Sequence, residues 1–341
     1  MPSIVKQIIA IVLCVGLFSA CSNRSEKGDP NVAFYYWKTI FKLTENEKKV
    51  LTENKVGKIY IRYFDIGLTG KGAVPVSPIN FAEKPDAYKI VPVVYIKNQV
   101  MLEPTVDLQK LAENVNAYIG KVNAKYGIAW DEIQVDCDWT LKSKDRYLKF
   151  VEYLKAVSAK RLSATIRLHQ VKYHGKTGIP NVDKGVLMYY NMGSIAPDNR
   201  NSIYDREVAQ SYIKSLKKFP LALDVALPIY SWGIHIRNHR VIKVISKIDM
   251  VALEKDPHFK KMDGMYFTVV ESVIRGGSYF KEGDQLKMET ISKDDLENMA
   301  DDLQDNVVNR PDEIIFYDLD DFNIAPYNKE QKFFKKVAAW F

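Results

Sequence analysis

From Asn31 onward, short apolar runs alternate with longer amphipathic stretches, and no Ser-, Gly- or Pro-rich linker divides them. Residues 31–37 (NVAFYYW) are aromatic and β-branched and read as a strand. The same pattern predicts strands at 58–65 (KIYIRYFD), 132–138 (EIQVDCD), 162–169, 186–191, 221–230 and 313–318 (EIIFYD). Residues 90–96 (IVPVVYI) are apolar without a break, as in a strand covered on both faces. Between them lie helical patterns. Thr44 with Glu47 forms a capping box that opens a helix to about Asn54, and further helices are expected over 106–125, 143–160, 205–218 and 329–340. Eight strands with helical crossovers in one unit predict an α/β fold, a (β/α)8 TIM-type barrel; a doubly wound open sheet is the competing architecture. The rhythm breaks over about 262–291, where 265–270 (MYFTVV) and 286–291 flank Arg275-Gly276-Gly277. A small β-rich insertion before the eighth strand is expected there.

The first residues follow a different logic. Lys6, an apolar run from Ile8 to Phe18 and the small residues Ser19 and Ala20 before Cys21 describe a secretory leader. Phe18-Ser19-Ala20-Cys21 resembles the bacterial lipobox, with Phe18 where Leu is usual. That resemblance implies a signal over 1–20, a lipid on Cys21, a polar tether over 21–30, and a barrel domain over 31–341 anchored to a membrane of the bacterial cell envelope. An ordinary cleaved signal or an uncleaved anchor would be the plainer alternatives.

Composition narrows the function classes. Three cysteines (Cys14, Cys21 and Cys137) build no disulfide scaffold, and 47% hydrophobic with 27% charged residues is neither a disordered nor a multi-span membrane composition. The formal charge of +7 comes from 49 basic and 42 acidic residues that are interspersed, so no nucleic-acid partner is expected. His235 and His239 stand four apart without the glutamate of a metalloprotease motif, and neither a metal nor a cofactor is expected.

In such barrels the active site lies where the strands end. Asp136 and Asp138 share one face of their strand about 6–7 Å apart, while Cys137 faces the other way. Two carboxylates that close do not both ionise freely, which suits them to general acid–base work, although an aspartate also caps helices. Arg167 is placed to pair with one of them, and His169 and Gln170 are placed to touch ligand. His169 and Asp318 are the further candidates for proton transfer. Trp37, Trp139, Tyr190, Asn191, Tyr230 and Trp232 gather at other strand ends, and flat rings beside polar groups suit the faces and hydroxyl rims of sugars.

In order, Asp136-Cys137-Asp138-Trp139-Thr140, Met188-Tyr189-Tyr190-Asn191 and Leu227-Pro228-Ile229-Tyr230-Ser231 resemble motifs of the chitinase-type barrels of glycoside hydrolase family eighteen. The resemblance covers about 131–234 and implies sugar-orienting roles for Asp138 and Tyr190. It assigns the general acid to no residue, because Thr140 stands where that family has glutamate, and Asn191 stands where it has aspartate. The whole chain is also similar to a family of bacterial barrel lipoproteins, which implies fold and location and no activity. Two functions are therefore expected in competition: a glycoside-hydrolase-like enzyme acting on envelope or nutrient glycans, and a glycan-binding lipoprotein that has lost the acid. An assembly protein working through its surface is a third reading; no protein partner is indicated. The leader makes one clear statement: Cys21→Ser should move the protein from the detergent to the aqueous phase in a phase-partition assay, and partitioning that persists would refute lipidation.

Overall fold

The computed structural model describes residues 28–341, so the leader, Cys14 and Cys21 lie outside the described residues. Eight parallel strands form the central layer: β1 (Asn31–Tyr36), β2 (Lys58–Thr69), β3 (Lys89–Ile96), β4 (Glu132–Asp136), β5 (Arg161–Arg167), β6 (Lys184–Met188), β7 (Leu223–Pro228) and β8 (Glu313–Tyr317). Neighbours in the chain are neighbours in the sheet, and β1 pairs with both β8 and β2, Ala33 lying opposite Lys58 and Ile315. That double pairing closes the barrel and excludes the open doubly wound sheet.

Local chemistry explains the crossovers. In α1 (Glu45–Glu53) the Thr44 hydroxyl accepts from Glu47 N–H at 3.1 Å, while Thr44 N–H donates to the Glu47 carboxylate at 3.0 Å. In α2 (Leu108–Tyr126) Asp107 caps the start and Gly127, at φ +69°, ends the helix in the left-handed region. Its buried residues Leu111, Val115, Ile119 and Val122 recur every three or four positions and cover the strands. α3 (Lys144–Ser158) does the same with Tyr147, Phe150, Val151 and Leu154.

Alternate strand residues point into the barrel, and many of them are polar. The Tyr35 hydroxyl donates to Gln134 at 2.7 Å and that of Tyr60 to Glu313 at 2.6 Å; each bond joins strands that are not neighbours, so it crosses the interior. At the start of the strands, Lys58 lies 2.5 Å from Glu313 and 3.6 Å from Glu132, and Lys184 lies 2.5 Å from Asp224 and 3.6 Å from Glu313. Asp224 also accepts from the backbone N–H groups of Asp312 and Glu313 at 2.9 and 3.0 Å. The floor of the barrel is thus a lattice of matched charges rather than an oily plug.

Two expectations are corrected. The sequence pattern puts the insertion at about 262–291, but its five-stranded antiparallel sheet runs from Trp232 to Glu289, beginning with the hairpin of Trp232–Arg237 and Arg240–Ser246. That hairpin turns through Asn238 and His239, both at positive φ (49° and 57°), so no Gly or Pro announces it in the sequence. The fifth strand stops at Arg167, and His169 sits in a helical turn, Leu168–Lys172, because Gln170 accepts the Arg167 N–H at 2.8 Å and starts the helix. Removing one member of the floor lattice leaves its partner buried and uncompensated. Asp224→Asn should destabilise the fold by about 3 kcal/mol in urea titrations, and the double change Lys184→Met with Asp224→Leu should cost less.

Candidate functional site

Five aromatic rings line the mouth at the C-terminal ends of the strands. Trp37 follows β1, Tyr190 follows β6, Tyr230 follows β7, Trp232 opens the insertion and Tyr317 ends β8. Tyr317 is the hub, with centroids 5.5 Å from Trp37, 5.5 Å from Tyr190 and 5.7 Å from Tyr230; Tyr230 lies 5.3 Å from Trp232. No sequence motif marks Tyr317, although the alternation Glu313, Ile315, Tyr317 turns it inward. Trp139 does not join the arc. Its ring is buried and stacked 4.5 Å from Tyr147, and its N–H donates to the Thr177 carbonyl, so it packs rather than binds.

Arg167 divides the mouth. Its Nε donates to Asp138 at 2.7 Å, and its guanidinium lies 6.0 Å from the centre of the Tyr190 ring. On one side is a cavity of about 410 Å³ walled by Trp37, Asp136, Tyr230, Trp232, Tyr317 and Asp318. On the other is one of about 440 Å³ lined by Asp138, Thr140, His169, Asn191 and Tyr212. Arg167, Tyr190 and Asn191 border both. The two aspartates predicted to work as a pair therefore open into different lobes, because β4 ends at Asp136 and the chain has already turned outward at Asp138.

Their environments differ accordingly. Asp136 is 5% exposed and accepts from the Thr165 hydroxyl at 2.7 Å; burial pushes its pKa up to about 6 against the pull of Arg167. The Asp138 side chain is half exposed and ion-paired. Asp318, at the end of β8, takes a hydrogen bond from the Asn323 amide, and burial followed by repulsion from Asp320 raises it to about 6 as well. His169 lies in the second lobe with its ring partly covered, and that partial desolvation, followed by Arg167, lowers its pKa. Gln170 is buried and spent on Arg167 N–H, so it leaves the ligand-facing set. Asn191, at φ +55°, accepts from the Tyr230 hydroxyl at 2.5 Å and fixes that ring. Thr140 is exposed, with its N–H bonded to the Ser143 hydroxyl.

The insertion contributes residues that no local motif marks. Glu289, fully buried, accepts from the Trp232 indole at 2.8 Å and from Ser202 at 2.5 Å, and lies 2.8 Å from buried Lys287. Lys247 reaches back to Asp320 at 2.8 Å and lines the first lobe. His235 is held by Asp284 at 2.7 Å inside the insertion, away from the mouth.

No protein-family model and no curated protein matches this chain. Solved structures do. A chitinase from Bacteroides thetaiotaomicron is 12% identical with a TM-score of 0.54, over 92% of this chain and 96% of that one. A family GH18 chitinase from Cycas revoluta, complexed with allosamidin, is 11% identical at 0.51, over 90% and 98%. A chitinase-like agglutinin from Robinia pseudoacacia is 11% identical at 0.50, over 91% and 99%. The fold is that of the chitinase-like barrels.

The raised carboxyls have a consequence for stability. The folded state holds the protons of Asp136 and Asp318 up to about pH 6, whereas an unfolded aspartate releases its proton near about 3.9. Their contribution to stability is therefore full below about pH 4 and declines as pH rises towards 6. Asp318→Asn keeps an acceptor for Asn323 and removes one such group. Melting curves between about pH 4 and 8 should show a flatter profile for the variant, with Tm higher by about 2–4 °C at the alkaline end.

Proposed function

We propose that this protein recognises a glycan at the barrel mouth and does not cleave it by the chitinase-type mechanism. The arc of five rings carries the reading: partly covered aromatic faces bordered by Asn191, Arg167 and aspartates match the apolar faces and hydroxyl rims of pyranose units. Against cleavage by that route, the Thr140 hydroxyl is far too weak an acid to protonate a leaving group, and Asp138 beside it is engaged by Arg167. The barrel shared with chitinases and with an agglutinin is compatible with either outcome. With lipid on Cys21, the barrel would work at an envelope membrane, on envelope or nutrient glycans.

One observation favours a second reading. Asp318 lines the aromatic lobe and, with a pKa near 6, is a group able to hold and release a proton near neutrality. A hydrolase working through Asp318 would share the aromatic subsite and differ in turnover. Calorimetric titration with a panel of oligosaccharides, alongside a reducing-sugar assay, separates the two. Saturable binding, weakened at least about tenfold by Trp232→Ala and without sugar release, is the expected result. Release that disappears in Asp318→Asn would establish the hydrolase instead.

A further inference from the structure

The charges that face the aromatic lobe do not balance. Three cations line it, and each is already matched: Lys38 lies 2.5 Å from Glu47, Arg167 2.7 Å from Asp138, and Lys247 2.8 Å from Asp320. Two carboxylates line it, Asp136 and Asp318, and neither has an ion-pair partner among the described residues. Asp136 is nine-tenths buried. One of its oxygens accepts from Thr165; the other has no hydrogen-bond partner among the described residues and is not sealed from the lobe. Asp318 takes the Asn323 amide and, apart from its own backbone N–H, nothing further.

The same lobe is walled by Trp37, Tyr190, Tyr230, Trp232 and Tyr317. Ring faces carry the negative end of the aromatic quadrupole, so a cation seated against them is attracted, most strongly by tryptophan. Acids without an ion pair, one buried and one half-buried, and electron-rich faces favour the same ligand feature, a positive charge brought in from outside. An anionic sugar would meet surplus carboxylate, since every lining cation is spoken for.

We propose that the glycan taken at this mouth bears free ammonium groups, as a de-N-acetylated amino sugar does. The ammonium sits in the lobe bounded by Asp136, Asp318 and the tryptophans, and the pyranose ring stacks on the adjoining aromatic face. This rests on the glycan-binding reading and adds the substrate class. Bulk attraction does not mimic it, because the whole chain carries a formal charge of +7 and repels a polycation.

The test is calorimetric titration of the full-length chain with two probes of equal length, the N-acetylglucosamine tetramer and the glucosamine tetramer, at about pH 6.5. The glucosamine tetramer should bind at least about tenfold more tightly, and the ratio of the two affinities should fall to about threefold or less in Asp318→Asn and in Asp136→Asn. Measuring the two variants separately keeps the test informative where one folds poorly. Equal affinities, or a preference for the acetylated tetramer, would overturn the ammonium assignment and leave glycan binding standing. A preference that both folded variants retain would also overturn it, since the charge would then be read elsewhere. Binding of neither probe would overturn the glycan reading and the assignment with it.

Discussion

A side chain that points into a closed barrel reaches water only through the mouth, so a charge placed there must find its counter-charge on another strand. This protein fills much of its barrel with such side chains. Lys58, Glu313, Lys184 and Asp224 tie the starts of four strands together, and Tyr35–Gln134 and Tyr60–Glu313 bridge the interior above them. An ion pair of this kind adds little net stability compared with an apolar core, but a broken one is strongly unfavourable. Closure and register are thereby linked: a slipped strand would leave a buried charge alone.

The same constraint shapes the mouth. Arg167 follows the rule by pairing with Asp138, and in doing so it splits the opening into an aromatic lobe and a polar one. Asp136 and Asp318 depart from the rule. They stand in the aromatic lobe without a direct ion pair, and burial raises their pKa values against the opposing pull of Arg167 on Asp136 and of Lys247 on Asp318. Sites where matching fails are where a ligand changes the energy most, because its charge or hydrogen bonds replace something the fold left open.

The inserted sheet belongs functionally to the mouth. Trp232 is its first residue, Glu289 at its last strand holds the indole in place, and Lys247 reaches Asp320 beyond β8. Residues more than fifty positions apart thus set the pose of one ring, and the buried Lys287–Glu289 pair fixes that arrangement from behind.

The strand and helix order was legible in the sequence because period-two and period-3.6 patterns are local. So were the Thr44 capping box and the positions of Asp136, Asp138, Tyr190 and Tyr230 near strand ends. What lies beyond a strand end was not. Trp139 looks like a ligand-facing ring until the fold stacks it on Tyr147, and Gln170 looks like a binder until it caps Arg167. The early hairpin of the insertion was hidden because Asn238 and His239 make its turn without glycine. The sequence by itself determined the order of strands and helices and the kinds of residue at the strand ends, since alternation dictates which side chains share a face, while closure into a barrel rests on the pairing of β1 with both β2 and β8. Only the tertiary structure decided which charges meet: that Arg167 takes Asp138 and leaves Asp136 and Asp318 unpaired depends on distances between strands, which no local pattern carries.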